Sequence, residues 1–399
     1  MEYAVLDDTE VSGKTVLLRV DLNVPMHAGK VTDATRIERV LPTVKLLAGK
    51  GAKVVLLSHF DRPKGQFVPS MSLAPLVDAL GRFLPGVDVK FGVDCVGPAA
   101  ENAVKALEPG QVLLLENLRF HAEEEKGDDA FAKEIASLGD LFVNDAFSCS
   151  HRAHASITGL PKYLPTYVGL AMREEIFVLE SIFKNPERPL VAIVGGSKVS
   201  TKLDLLENLT QKVDKLIIGG AMANTFLYAG GHALGTSRYE AELKDTTSAI
   251  LKKAKGNNCE ILLPDDVIVA SSFSRHAPCR VVPVGAIPRD CMALDLGPQT
   301  MIKLAQHIAQ CKTLVWNGPV GAFETIPFDS TTVQLARVVA QLTASGSMKS
   351  VAGGGDTLAA LTHAGLKEEF SYLSTAGGAF LEWLEGKALP GVEALKKAA

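Results

Sequence analysis

Apolar residues along this chain fall in short blocks separated by longer stretches with helical spacing. Blocks at 16–20, 53–57, 112–115 and 141–143 predict strands in the first half. In the second half, strands are predicted at 191–194, 215–218, 261–263, 280–282, 313–316, 350–352 and 372–373. Several are apolar almost throughout, as expected of strands covered on both faces of a parallel sheet. Helical stretches such as 35–50 and 72–83 lie between them. This alternation predicts an α/β fold with parallel sheets. Met172, Ile176, Leu179 and Phe183 recur at helical spacing, predicting a long amphipathic helix over 169–184. Asn185-Pro186-Glu187-Arg188-Pro189 breaks it before a new strand. The expectation is two similar α/β lobes bridged by that helix.

Composition supports the division. A chain of 399 residues is long enough for two domains, and 47% apolar with 22% charged residues allows each its own core. A net charge of −4 argues against a nucleic-acid binder, which carries a basic face. It leaves room for a local basic pocket. The first eight residues are acidic and lack the apolar segment of a secretory signal. No apolar run is long enough to span a bilayer, so no membrane association is expected. The six cysteines (Cys95, Cys149, Cys259, Cys279, Cys291, Cys311) contain no C-x-x-C pair. That fits reduced cytosolic thiols better than a disulfide frame or a zinc site.

In open parallel sheets, ligands bind beyond the carboxyl ends of the strands. The chemically unusual residues gather there. In the first half these are Asp21-Leu22-Asn23, Ser58-His59-Phe60-Asp61-Arg62-Pro63, Glu116-Asn117-Leu118-Arg119-Phe120, Asn144-Asp145 and His151-Arg152-Ala153-His154. In the second half the corresponding positions are glycine-rich: Gly195-Gly196-Ser197-Lys198, Gly219-Gly220, Gly353-Gly354-Gly355-Asp356-Thr357 and Gly377-Gly378. Arginine forks grip phosphate and carboxylate oxygens, whereas glycine loops at helix N-termini offer backbone N–H groups to phosphates. The two sets together suggest phosphoryl transfer between a small anion and a nucleotide. Taken singly, each has a blander reading. A surface arginine such as Arg36, Arg62, Arg119 or Arg152 is usually a solvated charge, and a Gly-Gly pair is usually a turn. Lys198 and Lys202 are four apart, predicting one shared helix face after Gly195-Gly196, solvated or functional. Asp356, directly after three glycines, suits Mg²⁺. Cys149 and His154 could pair as a nucleophile, but no oxyanion loop accompanies them, and a packing role is the better reading. Neither a P-loop nor a G-x-G-x-x-G follows any predicted strand, which argues against P-loop enzymes and dinucleotide dehydrogenases.

The segment 16–25, an apolar strand running into Arg19-Val20-Asp21-Leu22-Asn23-Val24-Pro25, resembles the phosphoglycerate kinase signature. The resemblance continues through the strand-end motifs above, Asn144-Asp145-Ala146-Phe147, His151 to Ser156, and Trp316-Asn317-Gly318-Pro319-Val320-Gly321-Ala322-Phe323-Glu324. It implies two similar Rossmann-like lobes with parallel sheets, joined by a long interdomain helix. The implied bounds are a 3-phosphoglycerate domain over 1–168, a helix and hinge over 169–189 and a nucleotide domain over 190–385. A C-terminal segment over 386–399 would pack back on the first domain. The implied partners are 3-phosphoglycerate or 1,3-bisphosphoglycerate and ADP or ATP with Mg²⁺, in a cytoplasmic monomer. Asp21, Leu22 and Asn23 would lie at the glycerate end. His59, Phe60, Asp61, Arg62, Arg119 and Arg152 would surround the non-reacting 3-phosphate. Arg36 would lie near the acyl phosphate. Lys198, Lys202, Gly220, Asn317, Glu324, Gly353, Gly354, Gly355, Asp356 and Thr357 would hold the nucleotide, with Asp356 on the metal and Glu324 on the ribose. Arg36 and Lys202 would meet the charge that develops in transfer. Ala221, Ala293 and Ala376 stand where the family often has glycine. Their methyls suggest a tighter adenine slot, which includes Met292-Ala293-Leu294-Asp295, and place nucleotide selectivity in question. Arg19, inside the strand, reads as a structural ion-pair residue.

A two-lobed transferase for another acyl phosphate would carry the same glycine loops. A non-catalytic descendant would be expected to lose Lys202, Asp356 or the arginines, and all are present. With ligands on separate lobes, transfer requires closure that excludes water, with the 169–189 segment as hinge. Small-angle scattering should show compaction when both substrates bind. An unchanged radius of gyration would contradict the hinge.

Overall fold

The computed structural model describes residues 3–7 and 9–397. Met1, Glu2 and Asp8 of the acidic N-terminus, and Ala398 and Ala399 of the expected C-terminal segment, lie outside the described residues. The chain divides into two compact units, 1–177 with 388–399, and 178–387.

The first unit is built on a six-stranded parallel sheet. Its strand order is Val89–Gly92, Val112–Leu115, Lys53–Leu57, Thr15–Arg19, Leu141–Asn144, Thr166–Val168. Alternate residues of Thr15–Arg19 enter different cores. Val16 and Leu18 pack with Ile37, Val44 and Leu80, whereas Leu17 packs with Phe131, Ile135 and Phe142. The strand is therefore buried on both faces, as its unbroken apolar run predicts. Helix Thr35–Gly49 begins where Asp33 accepts the Thr35 N–H at 2.8 Å. The predicted helix over 72–83 is shorter, Leu76–Phe83. Ser72 Oγ instead accepts the Ala74 N–H at 3.1 Å and donates to Glu116 at 2.6 Å, which holds residues 72–75 outside the helix. Helix Pro390–Lys397 also belongs to this unit.

The second unit has its own six parallel strands, ordered Glu260–Leu262, Lys215–Ile218, Leu190–Val194, Thr313–Asn317, Lys349–Gly353, Tyr372–Ser374. Counted along the chain this is 3-2-1-4-5-6, the doubly wound order, whose direction reverses between Leu190–Val194 and Thr313–Asn317. In the first unit the corresponding reversal lies between Thr15–Arg19 and Leu141–Asn144.

Two further sequence expectations change. The block at 280–282 does not join the parallel sheet. It lies in Cys279–Pro283, an exposed edge of a separate antiparallel sheet with Asp266–Ala270 and Met292–Leu296. A bulge between Ile268 and Val269 interrupts the pairing with Met292–Leu296. Lys198 and Lys202 do not share a helix face, because the helix starts only at Leu203. Residues 195–202 form a loop, and Lys202 closes it with its side chain. The predicted helix over 169–184 is present as Leu170–Phe183.

Candidate active site

In the first unit, the segments after Thr15–Arg19, Lys53–Leu57, Val112–Leu115 and Leu141–Asn144 converge on the end of Thr15–Arg19. Arg19 is 0% exposed. Its Nε donates to Ser156 Oγ at 2.8 Å, and one terminal nitrogen donates to the Val20 carbonyl. The other lies 3.2 Å from His59 Nδ1 and 3.7 Å from Cys149 Sγ. Ser156 Oγ in turn donates to Glu124 Oε1 at 2.6 Å. The expected ion pair is thus replaced by a relay in which a serine stands between guanidinium and carboxylate. A guanidinium only donates, so His59 Nδ1 must accept. Burial, reinforced by Arg19, Arg119 and Arg36 against the opposing pull of Asp21, holds the His59 pKa well below its usual value. His154 is brought down to about 3 by burial and by Arg119, Arg19 and Arg152. Both rings are neutral at pH 7, and the positive charge of the cluster resides on its arginines.

Asp21 sits at the centre. Arg36 Nη1 lies 3.1 Å from Asp21 Oδ2 and donates to the Asn23 carbonyl at 2.9 Å. Ser148 Oγ donates to Asp21 Oδ2 at 2.5 Å, and the Asn23 N–H donates to Oδ1 at 3.0 Å. Burial works to raise the Asp21 pKa, but Arg36 and these hydrogen bonds bring it below the usual carboxylate value. Leu22 is fully buried, and its N–H is already taken by Ser58 Oγ at 2.9 Å. The Phe60 N–H donates to Asn117 Oδ1 at 3.1 Å. Asp61, exposed and left-handed at φ 51°, donates its N–H to Asn23 Oδ1 at 3.0 Å. Its carbonyl accepts from Arg119 at 2.8 Å. Arg119 Nε is buried without a hydrogen bond, although Glu125 Oε1 lies 3.3 Å away. Arg152 Nε donates to His151 Nε2 at 3.1 Å. Arg62 is exposed three residues beyond His59 on the same loop. The structure thus brings Asp21, Asn23, Arg36, His59, Arg119 and Arg152 together. It uses the Leu22 and Phe60 backbones to brace them. Cys149 approaches His59 Nδ1 at 3.9 Å and does not pair with His154. Sequence reasoning places Asn117 at a strand end without giving it a role, and it misses Ser148, which nothing local marks.

In the second unit the strand reversal opens a cleft of about 430 Å³. Gly220, Glu324 and Asp356 line it, together with Met292 of the expected adenine slot and with Asn224 and Arg238, which the sequence does not single out as contacts. Ala221 and Ala293 also line it, and Ala376 does not. Lys202 Nζ donates to the Gly195 carbonyl at 2.7 Å and to Asn317 Oδ1 at 2.6 Å. Asn317 Nδ2 donates to the Gly353 carbonyl at 2.9 Å. Thr357 Oγ1 donates to the same carbonyl at 2.8 Å and accepts the Gly318 N–H at 2.7 Å. Burial, only partly offset by Asp356, lowers the Lys202 pKa to about 8. Gly220 has φ 65°, and a Cβ there would lie 2.7 Å from the Gly196 carbonyl oxygen. Gly220 and Gly355 each open a helix, Gly220–Ala229 and Gly355–His363, so their N-termini meet this end of the sheet. Lys198 is exposed and outside the cleft lining.

Comparison with known proteins covers both units. A sequence model of the family described as phosphoglycerate kinase matches residues 6–387. The phosphoglycerate kinase of Methylobacterium radiotolerans is 57% identical over 395 residues, 99% of this chain and 98% of that protein. That of Granulibacter bethesdensis is 56% identical over 396 residues, 99% of this chain and all of that protein. Among solved structures, phosphoglycerate kinase from Coxiella burnetii superposes with a TM-score of 0.91 at 43% identity, covering 99% of both chains. The similarity runs through both units, and the chain belongs to the phosphoglycerate kinase family.

Proposed function

We propose that the chain catalyses reversible phosphoryl transfer between 1,3-bisphosphoglycerate and ADP, giving 3-phosphoglycerate and ATP, the step shared by glycolysis and gluconeogenesis. The observation that carries this reading is the pairing of chemistries at the two strand reversals. One has arginines around neutral histidines; the other has glycine loops around a half-buried lysine.

Seen from 3-phosphoglycerate, the nucleophile is a carboxylate already ionised at neutral pH, so no general base is required. Catalysis then rests on positioning and charge. Arg62, Arg119 and Arg152, with His59, grip the 3-phosphate, while Glu125 lies against Arg119 Nε. Asp21 and Asn23 fix the glycerate end. Arg36, tethered to Asp21, faces the acyl phosphate, and Lys202 stabilises the group in transit. Lys198, Asn317, Glu324 and residues 353–357 bind the nucleotide.

Asp356 is exposed on the cleft wall, and its hard oxygens fit Mg²⁺, which takes one or two carboxylates plus substrate phosphates. The ion would supply charge neutralisation on those phosphates. The cysteines are all free, which suits a reducing cytoplasm. Among the described residues, no helix is long and apolar enough to cross a membrane. We read the protein as a cytoplasmic monomer with no nucleic-acid partner.

A coupled assay with ATP, Mg²⁺ and 3-phosphoglycerate tests the reaction, and absent turnover would overturn it. In that assay Lys202→Ala should lose on the order of 100–1,000-fold in kcat with the fold intact. Near-normal turnover would remove Lys202 from the transition state. With a pKa of about 8 in the free enzyme, the ammonium is charged at pH 7 and loses its proton as pH rises. kcat/KM for the nucleotide should therefore fall above about pH 8, since this parameter reports free-enzyme ionisations. Lys202→Arg, which stays charged, should lack that limb. Arg62→Ala should raise KM for 3-phosphoglycerate and leave kcat nearly unchanged, because the 3-phosphate does not react. A change confined to the ATP KM would reverse the assignment of the two units.

A further inference from the structure

A second cluster at the rim of the first unit has no part in this reaction. Asp94 and Cys95 follow the strand Val89–Gly92, and His121 follows the turn after Val112–Leu115. These two strands are hydrogen-bonded neighbours, so their loops leave the sheet side by side. An Asp94 carboxylate oxygen, Cys95 Sγ and a His121 ring nitrogen all lie within 4.8 Å of one another. His121 Nε2 is 2.7 Å from Asp94 Oδ1. The His121 ring rests against Phe131 with centroids 5.2 Å apart, which restrains it. Cys95 is 0% exposed and approaches from the core side. The Asp94 and His121 side chains are 43% and 29% exposed, leaving the outer side open to water.

We propose that Asp94, Cys95 and His121 form a binding site for a borderline-soft divalent transition metal of the zinc class. The donor set is one sulfur, one nitrogen and one oxygen. That set suits zinc or cobalt and not Mg²⁺, which demands oxygens in an octahedron. Three protein ligands with an outer side open to water leave a fourth position for solvent. Metal bonds of about 2.0–2.3 Å place tetrahedral ligand atoms about 3.3–3.8 Å apart, so the cluster closes with shifts of about an ångström. His121 Nε2 now holds a proton against Asp94 Oδ1, which also accepts the Cys95 N–H at 2.7 Å; on binding, that ring proton moves to Nδ1 as Nε2 and the carboxylate turn onto the ion. The surroundings favour a cation. Asp94, Glu124 and Glu116 place negative charge around Cys95. The same carboxylates attract a dication. On binding, the Cys95 S–H bond breaks, a sulfur–metal bond forms and the proton leaves to solvent, with no change in oxidation state. Affinity therefore rises with pH. No C-x-x-C pair marks the site, because its ligands come from two strands.

Cobalt is the probe. The full-length protein is titrated with Co²⁺ in excess Mg²⁺ without nucleotide, following the near-ultraviolet thiolate-to-cobalt charge-transfer band. One equivalent should develop the band, release a proton and be displaced by Zn²⁺. Cys95→Ser should abolish the band while retaining kinase turnover, and His121→Ala should weaken binding about tenfold or more. Absence of the band in the unsubstituted protein overturns the proposal. So does a band that survives Cys95→Ser. If Cys95→Ser does not fold, His121→Ala decides alone, and an unaltered cobalt titration in that variant overturns the site.

Discussion

Two strand ends in the second unit approach so closely that neither can carry a side chain. The Gly195 N–H donates to the Asn317 carbonyl at 2.9 Å. A Cβ on Gly195 would lie 1.9 Å from the Pro319 carbonyl oxygen, and one on Gly318 would lie 2.2 Å from that of Gly195. Backbone contacts of this kind cannot be relieved by rotating a side chain. They hold the loops after Leu190–Val194 and Thr313–Asn317 together where the winding direction reverses, the place at which a doubly wound sheet opens a crevice. Lys202 depends on that contact. Its ammonium rests on the Gly195 carbonyl and the Asn317 amide oxygen, one from each strand end. The Asn317 amide then reaches Gly353 on the next strand. The lysine charge beside the cleft residue Gly196 is thus held by main chain and a bonded asparagine, a rigid mount of the kind that electrostatic preorganisation needs.

The first unit solves the analogous problem with a buried cation. Arg19 could not remain charged at 0% exposure without partners, and it finds Ser156, the Val20 carbonyl and His59. Because Ser156 passes the contact on to Glu124, the carboxylate offsets the guanidinium without quenching it. The remaining positive field is felt by both histidines, which stay neutral. On the proposed function, an incoming phosphate would meet fixed cations and neutral imidazole groups, and no histidine proton need be lost or gained for it to bind.

The sequence is legible where one residue type answers one constraint. Unbroken apolar runs mark the parallel strands because both faces of each sheet are covered. Glycines mark the second unit's strand ends because a Cβ at Gly195, Gly220 or Gly318 would meet a backbone oxygen at 1.9–2.7 Å, which excludes every other residue there. It is illegible where the constraint is nonlocal. Lys198 and Lys202 have helical spacing, yet Lys202 bonds to Asn317, 115 residues away, and the helix begins after it. Arg19 invites an ion pair, and only the fold shows Ser156, 137 residues on, standing between it and Glu124. Val89–Gly92 and Thr166–Val168 leave no clear mark in the sequence because they are short and partly polar. Met292–Leu296 carries part of the expected adenine slot, and its mixed pattern hides that it is also a strand.

One short turn divides the electrostatics of the first unit. Leu118–Phe120 carries Arg119 toward Asp61 and the arginine cluster, and His121, two residues on, meets Asp94. Glu124 lies between the two fields. It holds Ser156 beneath Arg19, and it adds negative charge around Cys95. Strand order makes this separation possible. Val89–Gly92 and Val112–Leu115 form one end of the sheet, whereas Thr15–Arg19 and Leu141–Asn144 bound the reversal, with Lys53–Leu57 between. On the two proposals above, a phosphate and a dication would then be drawn to the same rim without competing for ligands. Each responds to the charges on its own side of that turn.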